Sequence, residues 1–141
     1  MNKQLDGILH TPLSGDQAVR IGIEDVPPRF LVSCLMVTRG KLFPSRYAVE
    51  CFQRQSYPNR ELIVVLDDPE SGLISYLEAL NDDRIRLMLL PKETKTLGAL
   101  RNISIAQARG EYICQWDDDD LYDPDRIGVQ LSALLASKAA A

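Results

Sequence analysis

The sequence predicts an α/β fold built around a mainly parallel sheet of at least four strands with flanking helices. Short apolar runs alternate four times with segments whose apolar residues recur at helical spacing. This alternation is typical of parallel strands joined by right-handed helical crossovers. The chain has 141 residues, 45% of them hydrophobic and 26% charged, which is enough for one domain with its own core.

The first strand and helix follow a proline pair that favours an extended chain. The run FLVSCLMV at 30–37 is apolar and predicts a buried strand. Ser45 is predicted to cap a helix over 46–55, because the apolar residues of that segment share one face. Tyr57-Pro58-Asn59 then marks a turn.

Three further strand–helix pairs follow. The run ELIVVL at 61–66 is rich in β-branched residues and predicts the second strand, while RIRLMLL at 84–90 and EYICQW at 111–116 predict the third and fourth. Leucines at helical spacing predict a helix over 70–81. Gly110 ends a helix predicted over 97–109, and Pro124 suits the first turn of a last helix over 123–137.

Composition narrows the class of protein. Residues 1–29 lack periodicity and are predicted to be a leader or linker, with a short helix near 16–21, before a domain over 30–141. A net charge of −4 without a basic run argues against nucleic-acid binding. No signal sequence or membrane-spanning stretch is visible, so a cytoplasmic location is predicted, with the inner face of a membrane left open. The three cysteines are predicted to be reduced.

Polar residues follow the predicted strands at the edge where ligands bind in open parallel sheets. Thr38 follows the first strand and Asp67 the second, and Arg101 lies in the first turns of a helix. The aspartates at 117–120 follow the fourth strand. Carboxylates can accept hydrogen bonds from ribose, and an arginine can bind a base or a phosphate. Bland alternatives, a turn for Asp67 and a surface arginine for Arg101, stay open.

The run of four aspartates is the sharpest of these features. In an extended chain, Asp117 and Asp119 would point one way and Asp118 and Asp120 the other. Two unit charges about 6 Å apart repel by roughly 3 kcal/mol at an effective dielectric constant of ~20. A solvated acidic loop tolerates this repulsion, whereas a divalent cation offsets it. Hard oxygen ligands suit Mg²⁺ or Mn²⁺, so the run predicts a metal–phosphate site.

Three segments in order, VSCLMVTRGK, QRQSYPNRELIVVLDD and TLGALRNISIAQARGEYICQWDDDDLYDPDR, resemble the family-two glycosyltransferases with the Rossmann-like GT-A fold. The resemblance covers roughly residues 30–130, and its last segment carries a D-x-D type motif. The chain departs from the family where T-Y-N and D-D-G-S often stand, since it has Thr38-Arg39-Gly40 and Asp67-Asp68-Pro69.

The resemblance implies a role for each matching residue. Thr38 would contact the base of a nucleotide-sugar through its backbone, Asp67 would bind the base or ribose, and Arg101 would lie near the base. Among the aspartates, Asp117 and Asp118 would lie near the ribose and diphosphate. Asp119 would be the ligand of a bound Mn²⁺ or Mg²⁺. Asp120 is assigned no role.

The resemblance implies a glycosyltransferase donor-binding domain that takes a nucleotide-sugar, by expectation a UDP-sugar, for transfer to a saccharide or other hydroxyl acceptor. No general base is found, and the resemblance implies a further acceptor half, so the chain is expected to be truncated. Three alternatives stay open for this enzyme: a longer protein completes the site, a partner completes it, or the chain works as a fragment. Two alternatives stay open, a non-catalytic nucleotide-binding module of the same fold and a metal-dependent phosphoryl-transfer domain. The sugar, the acceptor, the stereochemical outcome and the oligomeric state are not predicted, and peripheral membrane association through parts outside this chain stays open.

Overall fold

The computed structural model describes residues 11–13, 17–19, 28–68, 71–91 and 95–137. Strands β1 (Thr11–Leu13) and β2 (Gln17–Val19) pair antiparallel. The short helix predicted near 16–21 is therefore wrong for 17–19, while the rest of that segment lies outside the described residues. Residues 17–19 pair with β1 and do not form a helix, because a helix of one or two turns has little stability of its own.

The main unit is the predicted sheet with flanking helices. Four strands run parallel in the spatial order β5-β4-β3-β6, and they are β3 (Val32–Thr38), β4 (Arg60–Leu66), β5 (Ile85–Leu89) and β6 (Tyr112–Gln115). Four helices alternate with them, namely α1 (Leu42–Gln53), α2 (Leu73–Leu80), α3 (Leu97–Gln107) and α4 (Arg126–Ala136). The α/β fold class with a mainly parallel sheet is confirmed.

The first helix begins earlier than predicted. It starts at Leu42 rather than Arg46, with Lys41 as its N-cap residue. Pro44 fits there because the first turn of a helix needs no hydrogen bond from its backbone nitrogens. Ser45 is therefore not the cap, and its buried hydroxyl instead lies 3.1 Å from Thr38 Oγ1.

The other helix boundaries agree with prediction only in part: α3 begins at Leu97 as predicted and ends at Gln107 rather than Arg109. Thr96 caps α3 by accepting a hydrogen bond from the backbone nitrogen of Ala99 at 3.1 Å. The last helix begins at Arg126 instead of residue 123, since the chain first makes a turn in which Asp123 Oδ1 accepts from the Asp125 nitrogen. The predicted start of the second helix at Glu70 lies outside the described residues.

The sheet separates two apolar clusters, because successive strand residues face opposite sides. One face packs against α1, α2 and α4, and its buried residues include Cys34, Met36, Phe52, Val64, Leu73, Trp116 and Leu131. The other face packs against α3 through Leu35, Ile63, Val65 and Leu100. In the described part of the chain, no helix is both long and apolar enough to cross a bilayer.

A buried polar cluster joins the connection between α3 and β6 to the start of the sheet. One carboxylate oxygen of Glu61 accepts hydrogen bonds from Ser33 Oγ at 2.7 Å and from the Arg109 nitrogen at 2.9 Å. The other accepts from Arg86 at 3.0 Å. The Gly110 nitrogen donates to Ser33 Oγ at 2.8 Å. These bonds set where β6 begins, and hence where the aspartates that follow it lie.

Candidate functional site

The order of the strands creates a crevice at the carboxyl edge of the sheet. The chain moves from β3 to β4 and β5 on one side, then crosses to β6 on the other side of β3. Ligands of open α/β sheets bind at such a switch point, beyond the strand ends. A cleft of about 290 Å³ lies here, lined by Val37, Thr38, Arg39, Lys41, Leu97, Leu100 and Asp118.

Thr38 lies at the end of β3 with its side chain used inside the protein. Its hydroxyl oxygen accepts a hydrogen bond from the Gly40 nitrogen at 3.1 Å and contacts Ser45 Oγ. Gly40 has a φ of 84°, and a Cβ there would lie 2.5 Å from Ser71 Oγ, so this tight turn requires glycine. The turn brings the backbone of β3 to the wall of the cleft.

Asp67 directly follows β4 and is almost buried, with 8% of its side chain exposed. Arg39 lies beside it, with 3.7 Å between Arg39 Nε and Asp67 Oδ2. The Arg39 guanidinium also donates to the Lys95 carbonyl oxygen at 3.1 Å. Arg39 thus connects the ends of β3 and β4 to the segment before α3. Sequence reasoning noted Arg39 after the first strand and did not assign it to the site.

The acidic run begins with Asp117, and one of its carboxylate oxygens lies near both Gln115 and Arg101. Gln115 Nε2 donates to Asp117 Oδ1 at 3.0 Å, and Arg101 Nη2 lies 4.0 Å from the same oxygen. Both members of the Arg101–Asp117 pair are nearly half exposed, so the attraction between them is weak. The structure therefore brings two predicted site residues together from α3 and the end of β6.

The rest of the run does not alternate as an extended chain would. Asp118 and Asp119 form a turn, so the expectation that odd and even aspartates point in opposite directions is wrong. Repulsion between the carboxylates favours this bend, because a turn lets each one reach water separately. Asp118 faces the cleft, whereas Asp119 and Asp120 are exposed.

Tyr122 packs beneath the acidic run and was missed by sequence reasoning. Its hydroxyl oxygen accepts a hydrogen bond from the Asp117 nitrogen at 2.7 Å and lies 3.5 Å from Asp120 Oδ2. Burial raises the pKa of Tyr122 to about 12, so its hydroxyl keeps its proton at neutral pH. An aromatic residue two positions after the acidic run was the available signal.

The carboxylates of the acidic run suit a cation that is bound partly by the protein and partly by a ligand. In the described part of the chain, no group of three His, Cys, Asp or Glu side chains is placed to hold a metal ion. Mg²⁺ commonly takes one or two carboxylates and completes its shell with water and substrate phosphates. The aspartates of the turn fit that arrangement, and they do not form a cage made of protein ligands alone.

Comparison with known proteins supplies relatives of similar sequence. WcaA of Escherichia coli (strain K12), whose name gives colanic acid biosynthesis as its proposed role, is 38% identical over 104 residues, or 72% of this chain and 37% of WcaA. The amylovoran biosynthesis glycosyltransferase AmsB of Erwinia amylovora is 33% identical over 90 residues, or 61% and 30% of the two chains. A third relative is the Escherichia coli UDP-Glc:alpha-D-GlcNAc-diphosphoundecaprenol beta-1,3-glucosyltransferase WfgD, 27% identical over 75% of this chain and 42% of WfgD.

Solved structures share the fold. The mannosyltransferase PcManGT of Pyrobaculum calidifontis, solved with GDP-Man and Mn²⁺, superposes with a TM-score of 0.65 and 20% identity over 79% of this chain and 36% of that one. TarS of S. aureus, solved as residues 1–349 with UDP, also gives a TM-score of 0.65 at 20% identity, over 75% of this chain and 32% of that one. The Rossmann-like GT-A fold is thereby confirmed.

The comparisons agree on one family. The chain spans 30–42% of the length of the three relatives named above. The family model described as glycosyl transferase family 2 matches residues 45–141, well over half of the chain, including both Asp67 and the acidic run. The chain belongs to glycosyl transferase family 2.

Proposed function

We propose that residues 30–141 form the donor-binding domain of a glycosyltransferase, preceded by a leader or linker over 1–29. The domain binds a nucleotide-sugar with Mn²⁺ or Mg²⁺ for transfer of the sugar to a hydroxyl acceptor. The observation that carries this proposal is the cleft at the switch point between β3 and β6, which has Thr38 on one wall and Asp118 on the other.

The nucleoside end of the donor is assigned to the β3 side of the cleft. Thr38 uses its side chain internally, which leaves its backbone to contact the base. Asp67 accepts hydrogen bonds from the base or the ribose, and Arg39 keeps its carboxylate oriented. Arg101 turns from its weak, exposed pairing with Asp117 toward the base or phosphate.

The diphosphate end is assigned to the acidic turn. Asp117 and Asp118 lie near the ribose and diphosphate, and Asp119, exposed at the turn, is the metal ligand. The bound cation supplies charge stabilisation for the departing nucleoside diphosphate. These aspartates are not assigned as the general base, because a carboxylate close to a cation is held in its weakly basic form.

A UDP-sugar is the preferred donor. TarS has been solved with UDP and with UDP-GlcNAc, and the name of WfgD specifies UDP-Glc as its donor. PcManGT was solved with GDP-Man, so GDP is the competing nucleotide to test. The acceptor is a saccharide or another hydroxyl compound.

The test is calorimetric titration of the chain with UDP and with GDP, in the presence and absence of Mn²⁺. We expect UDP to bind more tightly with Mn²⁺ than without it. Asp119→Asn should remove this metal-dependent gain and leave the metal-free affinity unchanged, while Asp118→Asn should weaken both. The matched control is Asp83→Asn, an exposed aspartate just before β5 and so at the opposite edge of the sheet.

A folded chain that binds neither nucleotide with Mn²⁺ would overturn the proposal. Transfer is tested separately, by incubating the protein with UDP-sugars and a saccharide acceptor and following UDP release. Metal-dependent nucleotide binding without any UDP release would instead favour a non-catalytic module of the same fold.

A further inference from the structure

We infer that Tyr122 is a positioning residue for the acidic turn, a role that rests on the proposed function. Its hydroxyl lies between the first and last aspartates of the run. It accepts the hydrogen bond from the Asp117 nitrogen at 2.7 Å and reaches Asp120 Oδ2 at 3.5 Å. One hydroxyl group thereby links the two ends of the turn that carries Asp118 and Asp119.

The ring of Tyr122 is fixed by packing against two neighbours. It contacts Trp116, with 4.3 Å between the ring centroids and an angle of 47° between the planes. Trp116 is itself fully buried and anchored by its Nε1, which donates to the Ala48 carbonyl oxygen at 2.9 Å. The Arg126 guanidinium also packs against this ring, 3.9 Å from the Tyr122 ring centroid. The hydroxyl therefore has little freedom to leave Asp117.

Arg126 is held mainly through aromatic rings. Its guanidinium also lies 5.1 Å from the Trp116 ring centroid. Its Nη1 is buried and has no hydrogen-bond partner among the described residues. A guanidinium over the face of Tyr or Trp is attracted by the ring quadrupole. The positive charge stays next to the acidic run and offsets part of the repulsion between its carboxylates.

The backbone of Tyr122 is tied to α1, since its nitrogen donates to Cys51 Sγ at 3.4 Å. The segment from 117 to 122 is thus a loop closed at both ends, by the hydroxyl of Tyr122 at its start and by α1 at its end. Removing the hydroxyl opens the start of this loop while the ring and its packing remain. The carboxylates that bind the metal–nucleotide complex would then spread apart under their mutual repulsion.

Tyr122→Phe is the test, with Tyr57→Phe as the matched control. Tyr57 loses the hydrogen bond that its hydroxyl donates to the Phe30 carbonyl oxygen at 2.6 Å, just before β3 and so at the opposite edge of the sheet from the acidic run. Three quantities are measured for each variant: the affinity for UDP without metal, the gain in that affinity on adding Mn²⁺, and the exchange rate of the Asp117 amide hydrogen.

In Tyr122→Phe we expect the gain from Mn²⁺ to fall by about three- to tenfold, the range that one hydrogen bond contributes. The metal-free affinity should change by less than about twofold, and the Asp117 amide should exchange faster. In Tyr57→Phe the thermal midpoint should fall, while the gain from Mn²⁺ and the Asp117 exchange rate stay at the wild-type values.

The outcomes separate this inference from the proposed function. If Mn²⁺ improves UDP affinity equally in the wild type and in Tyr122→Phe, the positioning role is overturned and the proposed function stands. A wild-type protein without any gain from Mn²⁺ overturns both. Equal losses in Tyr122→Phe and Tyr57→Phe would show that stability alone is responsible, which also overturns the positioning role.

Discussion

Gly110 lies so close to Ser33 that no side chain fits between them. The Gly110 nitrogen donates to Ser33 Oγ at 2.8 Å, and a Cβ on Gly110 would lie 2.8 Å from the Ser33 nitrogen and 2.5 Å from the Leu31 carbonyl oxygen. These neighbours include the backbone of the chain at the start of β3, which cannot move aside without disturbing the sheet. The connection between α3 and β6 therefore depends on the absence of a side chain at this position.

Gly110→Ala should destabilise the protein by about 2–3 kcal/mol, because the added methyl group must displace backbone. Urea unfolding followed by circular dichroism measures this. Gly98→Ala is the control, since Gly98 lies in α3 and the nearest atom to an added Cβ there is Thr96 Oγ1 at 4.0 Å. That change should be neutral or stabilising by up to about 1 kcal/mol. Similar losses in both variants would contradict the steric argument.

Glu61 should make stability depend on pH at the acid end. Burial alone would raise the pKa of Glu61, but hydrogen bonds from Ser33 and from the Arg109 nitrogen, with the Arg86 charge, outweigh burial and lower the pKa below its usual value. A carboxylate with a lowered pKa stabilises the fold above its unfolded pKa of about 4.3. This contribution is lost as the pH falls through the folded-state pKa.

Glu61→Gln should therefore cost about 2 kcal/mol at pH 7, from the lost charged hydrogen bonds, and should reduce the loss of stability between pH 5 and the acid limit. Urea unfolding at a series of pH values measures both effects. Glu78→Gln, at an exposed position of α2, makes the same chemical change away from the polar cluster. If the loss of stability below about pH 5 is the same in Glu61→Gln as in the wild type, Glu61 is not the cause of that loss.

Asp67→Asn should weaken the binding of UDP by about tenfold with or without Mn²⁺, because a neutral amide is a weaker acceptor for the donor's hydrogen bonds than a carboxylate. The thermal midpoint should change little, since Asp67 contacts Arg39 at the long distance of 3.7 Å and Arg39 is 66% exposed. Calorimetry with and without metal makes the measurement. A loss confined to the metal-containing titration would contradict the assignment of Asp67 to the nucleoside end.

The three cysteines should differ in reactivity toward a disulfide reagent such as DTNB. All three are free, Cys34 and Cys114 are buried, and Cys51 is half-buried. Burial raises the pKa of Cys34, which lowers the fraction of reactive thiolate. The thiol of Cys51 should therefore react at least about tenfold faster than the other two in the native protein. Cys51→Ser should abolish the fast phase of the reaction. Three equal rates in the folded protein would contradict the burial of Cys34 and Cys114.

Local pattern in the sequence was sufficient for the four strands of the parallel sheet, its four helices and the fold class, but it missed β1 and β2. The patterns that distinguish strands from helices repeat every few residues. The run ELIVVL therefore indicates the strand β4, and the spacing of the leucines indicates the helix α2. Helix starts were less predictable, because Ser45 looks like a cap and is instead buried against Thr38. The acidic run and its place behind the last strand were likewise visible in the sequence, and so was the family that it resembles.

Strand order and side-chain partners were decided by the tertiary structure. The position of β6 beside β3, which creates the cleft, joins segments whose contacts lie 77 and 80 residues apart in the chain. The same holds for the placing of Tyr122 against Cys51 and for the joining of Glu61 to Arg109. Such contacts form when elements that are distant in the chain pack around a shared core. A local sequence pattern does not specify which distant residue each side chain will contact.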